Sequence, residues 1–549
     1  MIRFKIFTPA EAIPPVFYMP ASIDNLPKMT SLLIRNSCRI TSGYNQIGQT
    51  MIKRYAAPRI TEIWSLERKF KLWEMVELAV VQGRESLGKI RTGIHSAIAR
   101  TLSEHDIDIA FIDEREKVLQ HDLNAFLEER QRFLPPELQA EFHRKMTSYD
   151  TEEAPFAKRL MQSCDLVQSD AAELLEAIKD QAIRYRYTPM NARTHGQEAE
   201  MQSFGKRCLT WYVDLRTARN ALMETMGQLC FSKLSGAIGT NSGIEPELEE
   251  ASLKILGFKP WPGATQIMPR ILYAPIAGAL SDLVLVIDKI ATDIRLGSRS
   301  GRPLWHEPFG RQQKGSSAMP HKKNNVLGEK IEGMAVMACQ YSAGIKQNIK
   351  TWEERAIAQS SVERVFWPDL FHVTLHAIKT MNKIMDGLVV YPDTMMLEII
   401  ESRGCYASNE AKESLLELGT PFGLTREEAY RIVQLACFNA FEPKKSMKIL
   451  RKSPSGSLES ADMTLDYFRL EMHDASDILS SIKDIIPDAR LRVSDQLEAD
   501  QATVDAWNSK LKSIFNPRFP EQWAGWNLIF KPSHILANEA HQFKQVFGG

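Results

Sequence analysis

Cysteine is scarce in this sequence, and its placement excludes several kinds of site. The 549 residues include seven cysteines, an odd number, and none forms a CxxC pair. They are Cys38, Cys164, Cys208, Cys230, Cys339, Cys405 and Cys437. Such scattered residues favour reduced thiols in an intracellular compartment over a disulfide framework or a zinc site. No metal or organic cofactor is predicted, because no His, Cys and Asp cluster has ligand spacing.

The sequence also lacks an excess of charge and a long apolar run. Its 68 Lys and Arg residues balance 68 Asp and Glu residues, which argues against binding to nucleic acid or a membrane surface by bulk charge. No apolar run reaches the ~18 residues of a membrane span. The longest, from Leu280 to Ile290, is interrupted by Asp282 and Asp288. We expect a cytoplasmic protein without nucleic-acid or membrane partners.

Alternating apolar and polar residues, the pattern of half-buried strands, are nearly absent. Apolar residues recur instead at helical spacing, first at Ile63, Leu66, Phe70, Trp73, Val76 and Val80. Similar stripes cover residues 175–183, 212–229, 274–294, 331–345 and 371–385. The stripes predict an all-α protein with helices of about 20 to 30 residues, packed as an elongated bundle that oligomerises. Polar and glycine-rich connections are expected at 192–197, 235–243, 297–325 and 404–408.

Length and composition indicate several domains, since a domain takes roughly 150 residues. Residues 1–50 are rich in proline and have no acid after Asp24. We interpret them as a flexible extension, or as sequence upstream of a start near Met51, in preference to an organelle targeting segment. An N-terminal helical domain is predicted at 51–147, a central long-helix bundle at 148–395, and a C-terminal helical domain with an extended tail at 396–549.

The stretch from Lys314 to Asn325, KGSSAMPHKKNN, is the most informative part of the chain. Two hydroxyls follow a glycine, and the four cations Arg311, Lys314, Lys322 and Lys323 occur without an acid between them. Backbone amides and ammonium groups in such a loop can hold an anion. Its composition is equally typical of a basic surface turn.

The pattern GSSxMPxKxN resembles the signature of the fumarase/aspartase superfamily, and the wider sequence resembles its adenylosuccinate lyase branch. The matching blocks lie within residues 51–440. They are RY at 54–55 with IWSLERKFKLW, HD at 121–122, HRKMTSYD at 143–150, ARTHGQ at 192–197, TQIMPR at 265–270, the signature itself, and WEERAIAQSSVER at 352–364. The resemblance implies a three-domain fold, a homotetramer with twenty core helices, and sites assembled from three subunits.

The implied reaction removes a proton beside a carboxylate and expels a nitrogen from the next carbon, releasing fumarate. The resemblance assigns the base to Ser316, the general acid to His195 and a carboxylate partner of that acid to Glu329. Ser317 stays an alternative to Ser316. Lys322 and Asn324 would stabilise the doubly charged aci-carboxylate. His121 would assist catalysis or lie near the substrate phosphate. The alternative is a histidine on a helix surface without a functional role.

The implied substrate is a nucleotide monophosphate carrying a succinyl group, which guanidinium groups suit. The remaining positions expected to bind it are Arg54, Tyr55, Asp122, Thr147, Ser148, Thr194, Gln266, Ser317, Asn324, Arg355, Ser360 and Arg364. Both adenylosuccinate and the succinyl-carboxamide imidazole ribotide (SAICAR) are expected substrates.

Some positions depart from the family pattern, although none is a proposed acid, base or anion ligand. They are Lys145, Ile271, Asn325, Ala356 and Ala358. Two rival functions remain open. One is another fumarate-releasing lyase, such as an argininosuccinate lyase, which the Lys322-Lys323-Asn324 run also resembles. The other is a non-catalytic scaffold, which the presence of Ser316, His195 and Lys322 disfavours.

Overall fold

Helices dominate the computed structural model, which describes residues 51–441, 448–452, 458–462 and 499–548. The first six are α1 (Pro58–Ile63), α2 (Leu66–Ser86), α3 (Ile94–Ser103), α4 (Ile109–Leu119), α5 (Asp122–Gln131) and α6 (Pro136–Gln139). The predicted stripe from Ile63 is divided between α1 and α2. The division occurs because Ser65 is extended and its hydroxyl accepts a hydrogen bond from Arg68 N, which starts a new helix. The interpretation of residues 1–50 lies outside the described residues.

Long helices form the central bundle. They are α7 (Ser148–Arg184), α8 (Phe204–Met226), α9 (Pro246–Leu256), α10 (Ala274–Gly297), α11 (Val326–Lys346) and α12 (Ala358–Asp386). The stripes predicted in this region are confirmed as helices, and α7 exceeds the predicted length with 37 residues. Leu160, Leu280 and Phe371 belong to one continuous, fully buried core. This core fixes the helices that carry most candidate site residues.

One helical segment, Arg270–Gly297, is long and apolar enough to cross a membrane. Within its most apolar window, 61% is buried inside the protein. Burial of that kind is typical of a core helix in a bundle, and this segment packs against α8, α11 and α12.

The C-terminal part continues with shorter helices. They are α13 (Pro392–Glu401), α14 (Ser408–Gly419), α15 (Arg426–Phe441), α16 (Gln501–Ile514), α17 (Pro532–Ile535) and α18 (Glu539–Phe547). The expected helical tail is therefore present after residue 499. Leu415, Leu435, Trp507 and Trp526 share a separate buried cluster. The domain boundaries at residues 147 and 395 stay a prediction.

Strands are short and occur in pairs. They are β1 (Pro189–Thr194), β2 (Gln197–Ser203), β3 (Phe231–Ser232), β4 (Lys259–Pro260), β5 (Trp305–His306), β6 (Val389–Val390), β7 (Lys448–Lys452) and β8 (Leu458–Asp462). Only β3 and β4 pair in parallel; the other described pairs, β1–β2, β5–β6 and β7–β8, are antiparallel. Short 3-10 turns join several elements, including one at Cys405–Ala407. The all-α class is confirmed.

Candidate functional site

The signature loop, Lys314–Asn325, connects β5 to α11. Inside it, the Ser316 hydroxyl oxygen accepts hydrogen bonds from the backbone N–H groups of Ala318 at 3.3 Å and Met319 at 3.1 Å. Two donors aimed at one oxygen favour negative charge on that oxygen. A serine that acts as a base needs such donors, because its alkoxide is otherwise poorly stabilised. Ser317 is exposed beside it.

The loop folds back on itself at Gly315. A Cβ added at Gly315 would lie 1.9 Å from the carbonyl oxygen of Lys322, so no other residue fits without moving backbone. The Asn324 side-chain amide donates to the Gly315 carbonyl at 2.7 Å. These contacts place Ser316, Lys322 and Asn324 in one folded loop, with the Lys322 side chain exposed.

Two residues that the sequence did not reveal hold the C-terminal end of this loop and the start of α11. His306 Nε2 lies 3.2 Å from the Lys323 carbonyl oxygen. Glu307 is 1% exposed, and its carboxylate accepts hydrogen bonds from the first-turn N–H groups of Leu327 and Gly328 at 3.1 to 3.2 Å. Burial raises the pKa of Glu307, and those two N–H groups oppose the rise. The only feature of the sequence that points to His306 and Glu307 is their position a few residues before the loop.

His195 occupies the turn of a hairpin formed by β1 and β2. The interpretation of residues 192–197 as a plain connection is wrong, because Thr194 and Gln197 form the last residue pair of this ladder. Both turn residues have positive φ, 54° at His195 and 78° at Gly196, as a two-residue hairpin turn requires. Thr194 and His195 are exposed, so the turn presents the imidazole to the surroundings.

Glu329, the expected partner of His195, lies exposed in the first turn of α11. Its carboxylate is 3.9 Å from the Arg295 guanidinium. Among the described residues of this single chain, no hydrogen bond or ion pair joins Glu329 or Ser316 to His195. One chain therefore does not bring the proposed acid and base together by contact.

Arg54 and Tyr55 lie beside α11 and α12. The Tyr55 ring meets the His376 ring edge to face at 5.2 Å between centroids. Burial lowers the pKa of His376, and the positive charges of Lys330 and Arg54 lower it further. Arg54 and Lys330 thus concentrate positive charge close to the helix that follows the signature loop.

A second group of candidates surrounds a cavity of about 290 Å³ between α1, α2, α7 and α12, here called the α12 cavity. Ser360 and Arg364 line it, as predicted for substrate-binding residues. Its other lining residues include Trp64, Lys69, Tyr149, Glu152, Arg159, Arg270, Glu363 and His372. Opposite charges on these walls suit a ligand with ionic and polar groups.

Asp122 connects this cavity to the HD pair. Its carboxylate lies 2.7 Å from Lys69 Nζ and 2.8 Å from the Arg364 guanidinium. Burial opposes ionisation of Asp122, but the charges of Lys69 and Arg364 outweigh it and hold its pKa well below the usual range. In this chain, Asp122 thus orients Arg364.

His121 and the start of α7 adjoin Asp122. His121 Nδ1 accepts a hydrogen bond from Asn124 N at 3.4 Å, and Nε2 lies 3.3 Å from the Ser148 hydroxyl. Thr147 caps α7 in a reciprocal arrangement with Asp150. Both readings of His121 therefore have support, because it caps α5 and also points its second nitrogen at a predicted binding residue.

Gln266 and Arg355 lie on the other side of Tyr149. The Arg355 guanidinium donates to the Gln266 side-chain oxygen at 2.9 Å and stacks over the Tyr149 ring at 4.0 Å. The structure thus joins His121, Asp122, Thr147, Ser148, Gln266, Arg355, Ser360 and Arg364 in one neighbourhood around the α12 cavity.

Glu152 is a candidate that the sequence argument missed. It lines the α12 cavity, and burial raises its pKa to about 7, against the opposing charge of Lys69. Arg159 lies in the same wall, with its guanidinium 4.6 Å from the Trp64 ring. Glu152 follows the TSYD block by two residues, but no spacing rule distinguishes it from a surface glutamate.

One departure from the family pattern has a visible backbone consequence. Lys145, where the pattern has glycine, adopts φ of 61° in the left-handed region. Glycine occupies that region without steric cost, whereas a side chain costs about 1–2 kcal/mol. Lys145 therefore holds a backbone conformation that glycine would adopt at lower cost.

Within the part of the chain that the structure describes, no group of three or more His, Cys, Asp or Glu side chains is placed to hold a metal ion.

Comparisons with known proteins agree with these motifs. The family model described as lyase matches residues 53–339. Adenylosuccinate lyase from Aquifex aeolicus is 35% identical over 399 residues, which cover 72% of this chain and 90% of that protein. The adenylosuccinate lyase from Thermotoga maritima is 33% identical, with the same 72% and 90% coverage.

Solved structures agree on the fold. A fumarate lyase from Mesorhizobium sp. BNC1 superposes with a TM-score of 0.64 at 17% identity, covering 89% of this chain and 99% of that chain. A 3-carboxy-cis,cis-muconate lactonizing enzyme from Pseudomonas putida gives 0.64 at 18% identity, covering 84% and 98%. The chain therefore belongs to the adenylosuccinate lyase family of the fumarase/aspartase superfamily.

Proposed function

We propose that this carbon–nitrogen lyase eliminates fumarate from adenylosuccinate to give AMP. It also eliminates fumarate from SAICAR to give the corresponding carboxamide imidazole ribotide (AICAR). The observation that carries the proposal is the signature loop, in which two amides donate to the Ser316 oxygen while Lys322 and Asn324 share the same fold-back. The identity to the adenylosuccinate lyases supports the choice of substrate.

Ser316 acts as the base in this proposal. Its alkoxide takes the proton from the carbon beside the substrate carboxylate, and the amides of Ala318 and Met319 stabilise that alkoxide before it reacts. The electron pair left on the carbon delocalises into the carboxylate. Lys322 and Asn324 donate to the resulting aci-carboxylate, which carries two negative charges.

His195 supplies the proton that the leaving nitrogen needs. A carboxylate beside the ring would stabilise the imidazolium form that donates this proton. Glu329 is the proposed partner. The proton passes from His195 to the nitrogen, the C–N bond breaks, and fumarate and the nucleotide are the products.

Two groups of residues, each containing arginine, bind the anionic substrate. Arg54 and Tyr55 beside α11 form one such group. Arg355, Ser360 and Arg364 around the α12 cavity form another, with Gln266 and the Thr147–Ser148 pair next to them. Guanidinium groups pair with phosphate and carboxylate in two-point geometry, which fixes orientation as well as charge.

A homotetramer is part of the proposal. The exposed His195 turn and the exposed Glu329 make no contact with each other in one chain, so a neighbouring chain must complete each site. Large apolar side chains left exposed on bundle helices, including Val336 at 61% and Leu285 at 44%, support burial between chains.

A cytoplasmic location also belongs to the proposal. All six cysteines that the structure describes are free thiols, which is the state expected in a reducing compartment.

The experiment that tests the function follows fumarate release from three substrates. Purified protein is given adenylosuccinate, SAICAR or argininosuccinate, and fumarate is quantified. We expect turnover of the first two and none of the third. Selective turnover of argininosuccinate would identify the rival lyase, and no turnover of any of the three by the intact oligomer would favour the scaffold.

A further inference from the structure

Two half-buried cysteines that the proposed elimination does not use lie side by side. Cys405 opens the 3-10 turn Cys405–Ala407, and Cys437 lies near the end of α15. Each thiol is near enough to the other to shift its pKa. Both side chains line one small cavity of about 30 Å³, together with Arg403, Ala411 and Phe530. A space of that size is large enough for a water or a peroxide molecule.

The contact makes the two sulfurs unequal. The hydrogen bond from Cys405 lowers the pKa of Cys437, with burial opposing it. The same hydrogen bond, with burial, raises the pKa of Cys405, and the charge of Arg403 opposes that rise. Cys437 is therefore the sulfur that ionises first, while Cys405 keeps its proton. A thiolate beside a second thiol is the arrangement that redox-active cysteine pairs use.

The other cysteines that the structure describes lack this arrangement. Cys164 and Cys208 are fully buried in the central core, where burial raises the pKa of each thiol strongly. Cys230 is half-buried, and its thiol donates to the Gly227 carbonyl at 3.2 Å. It offers a matched control with similar exposure and no neighbouring thiol in the described part of the chain.

We propose that Cys405 and Cys437 form a peroxide-sensitive dithiol that closes to a disulfide. The Cys437 thiolate attacks one oxygen of hydrogen peroxide, forming an S–O bond as the O–O bond breaks, and the departing hydroxide takes a proton to become water. The Cys405 sulfur then attacks the Cys437 sulfenic acid, forming the S–S bond and releasing a second water. Two thiols lose two electrons, and one peroxide is reduced to two waters.

The disulfide would restrain the C-terminal helices. It ties the turn before α14 to the end of α15, closing the chain between 405 and 437 into a loop. The same turn packs on the histidine hairpin, because Tyr406 and Ala407 share a buried cluster with Met201 of β2. Crosslinking such a loop reduces the freedom of the unfolded chain, so the oxidised protein is expected to melt at a higher temperature.

The test oxidises the full-length reduced protein with hydrogen peroxide and maps its disulfides by mass spectrometry without reduction. We expect a peptide pair joining Cys405 to Cys437, a higher thermal midpoint, and reversal of both by dithiothreitol. Cys230→Ser should behave like the wild type, whereas Cys437→Ser should lose both effects. Phenylarsine oxide, which bridges neighbouring thiols, should bind the wild type and Cys230→Ser but not Cys405→Ser.

Because the wild type alone gives the disulfide map, the proposal stays testable even where a variant folds poorly. Oxidation that appears at other cysteines while Cys405 and Cys437 remain thiols would overturn it. So would sulfinic acid on either residue without an intervening disulfide.

Discussion

At the scale of single residues, the hydroxyl of Ser316 has the environment that a base of its kind requires. Serine ordinarily keeps its proton, so its use as a base depends on donors placed before the reaction begins. The N–H groups of Ala318 and Met319 are such donors, and they belong to the same loop as the residue they serve.

Replacing Ser316 with alanine should lower kcat by about 10²–10⁴-fold, the usual contribution of a positioned base. KM for adenylosuccinate should change little, because the proposed phosphate and carboxylate ligands remain. Steady-state kinetics of fumarate release measures both constants. Ser361→Ala is the control, since that exposed hydroxyl donates only to the Ala358 carbonyl. A Ser316→Ala enzyme with wild-type kcat would exclude this serine as the base.

The low pKa of Asp122 predicts a pH-dependent stability. Because its folded pKa lies below its unfolded value of about 3.9, ionised Asp122 stabilises the fold above pH ~4, and this contribution is lost as the pH falls further. Asp122→Asn should cost roughly 1–3 kcal/mol at pH 7, since it leaves Lys69 and Arg364 without their carboxylate.

Thermal unfolding of wild type and Asp122→Asn between pH 7 and pH 3 checks this expectation. The difference in midpoint should be largest at neutral pH and should shrink below pH ~4. Asp113→Asn, which removes an exposed carboxylate 3.5 Å from Lys117, should show almost no difference at any pH. A difference in midpoint between wild type and Asp122→Asn that grows as the pH falls would contradict the low pKa assigned to Asp122.

At this scale, sequence motifs predicted which residues are candidates for the site. They did not predict which side chains surround those residues. The HD block pointed to Asp122, but its partner Lys69 is 53 residues away in the sequence, a separation that no local pattern encodes. Glu152 illustrates the same limit, because its raised pKa arises from burial among side chains of other helices.

At the scale of elements, the junction between β5 and α11 positions the signature loop. Glu307 satisfies N–H groups of the first turn of α11, which would otherwise lack partners in a buried place. His306 holds the last part of the loop through the Lys323 carbonyl. Both contacts fix the C-terminal end of the loop and the start of α11, close in sequence to Lys322 and Asn324.

Glu307→Ala should lower stability by about 0.5–2 kcal/mol, the usual cost of losing a helix cap. It should also lower kcat, because the loop would lose one fixed end. Thermal unfolding and steady-state kinetics measure the two effects. Glu332→Ala is the control on the same helix, where the carboxylate is exposed and paired with Arg295. Equal stability of Glu307→Ala and wild type would show that the cap is dispensable.

Helical stripes predicted the long elements well, because each central helix buries a continuous apolar face. They failed at short elements. The hairpin around His195 has few apolar residues to alternate, and its turn depends on a left-handed histidine next to glycine. The break at Ser65 depends on a single capping hydroxyl, and the spacing of apolar residues does not predict it.

At the scale of the whole molecule, no hydrogen bond or ion pair among the described residues joins the signature loop, the histidine hairpin and the α12 cavity to one another. The signature loop with Arg54 and Tyr55, the histidine hairpin, and the α12 cavity each have their own internal contacts. The sequence blocks predicted a set of site residues, and the resemblance implied that several subunits share each site. The residues alone could not reveal that division, since it depends on how copies of the bundle associate.

The most direct test mixes two inactive variants. Ser316→Ala and His195→Ala proteins are purified, each is shown to form the wild-type oligomer, and the two are dissociated and reassembled together. If base and acid of each site come from different chains, mixed oligomers contain some sites with both residues intact, and adenylosuccinate cleavage should return to a substantial fraction of the wild-type rate. Mixed oligomers that remain as inactive as the separate variants would contradict the account.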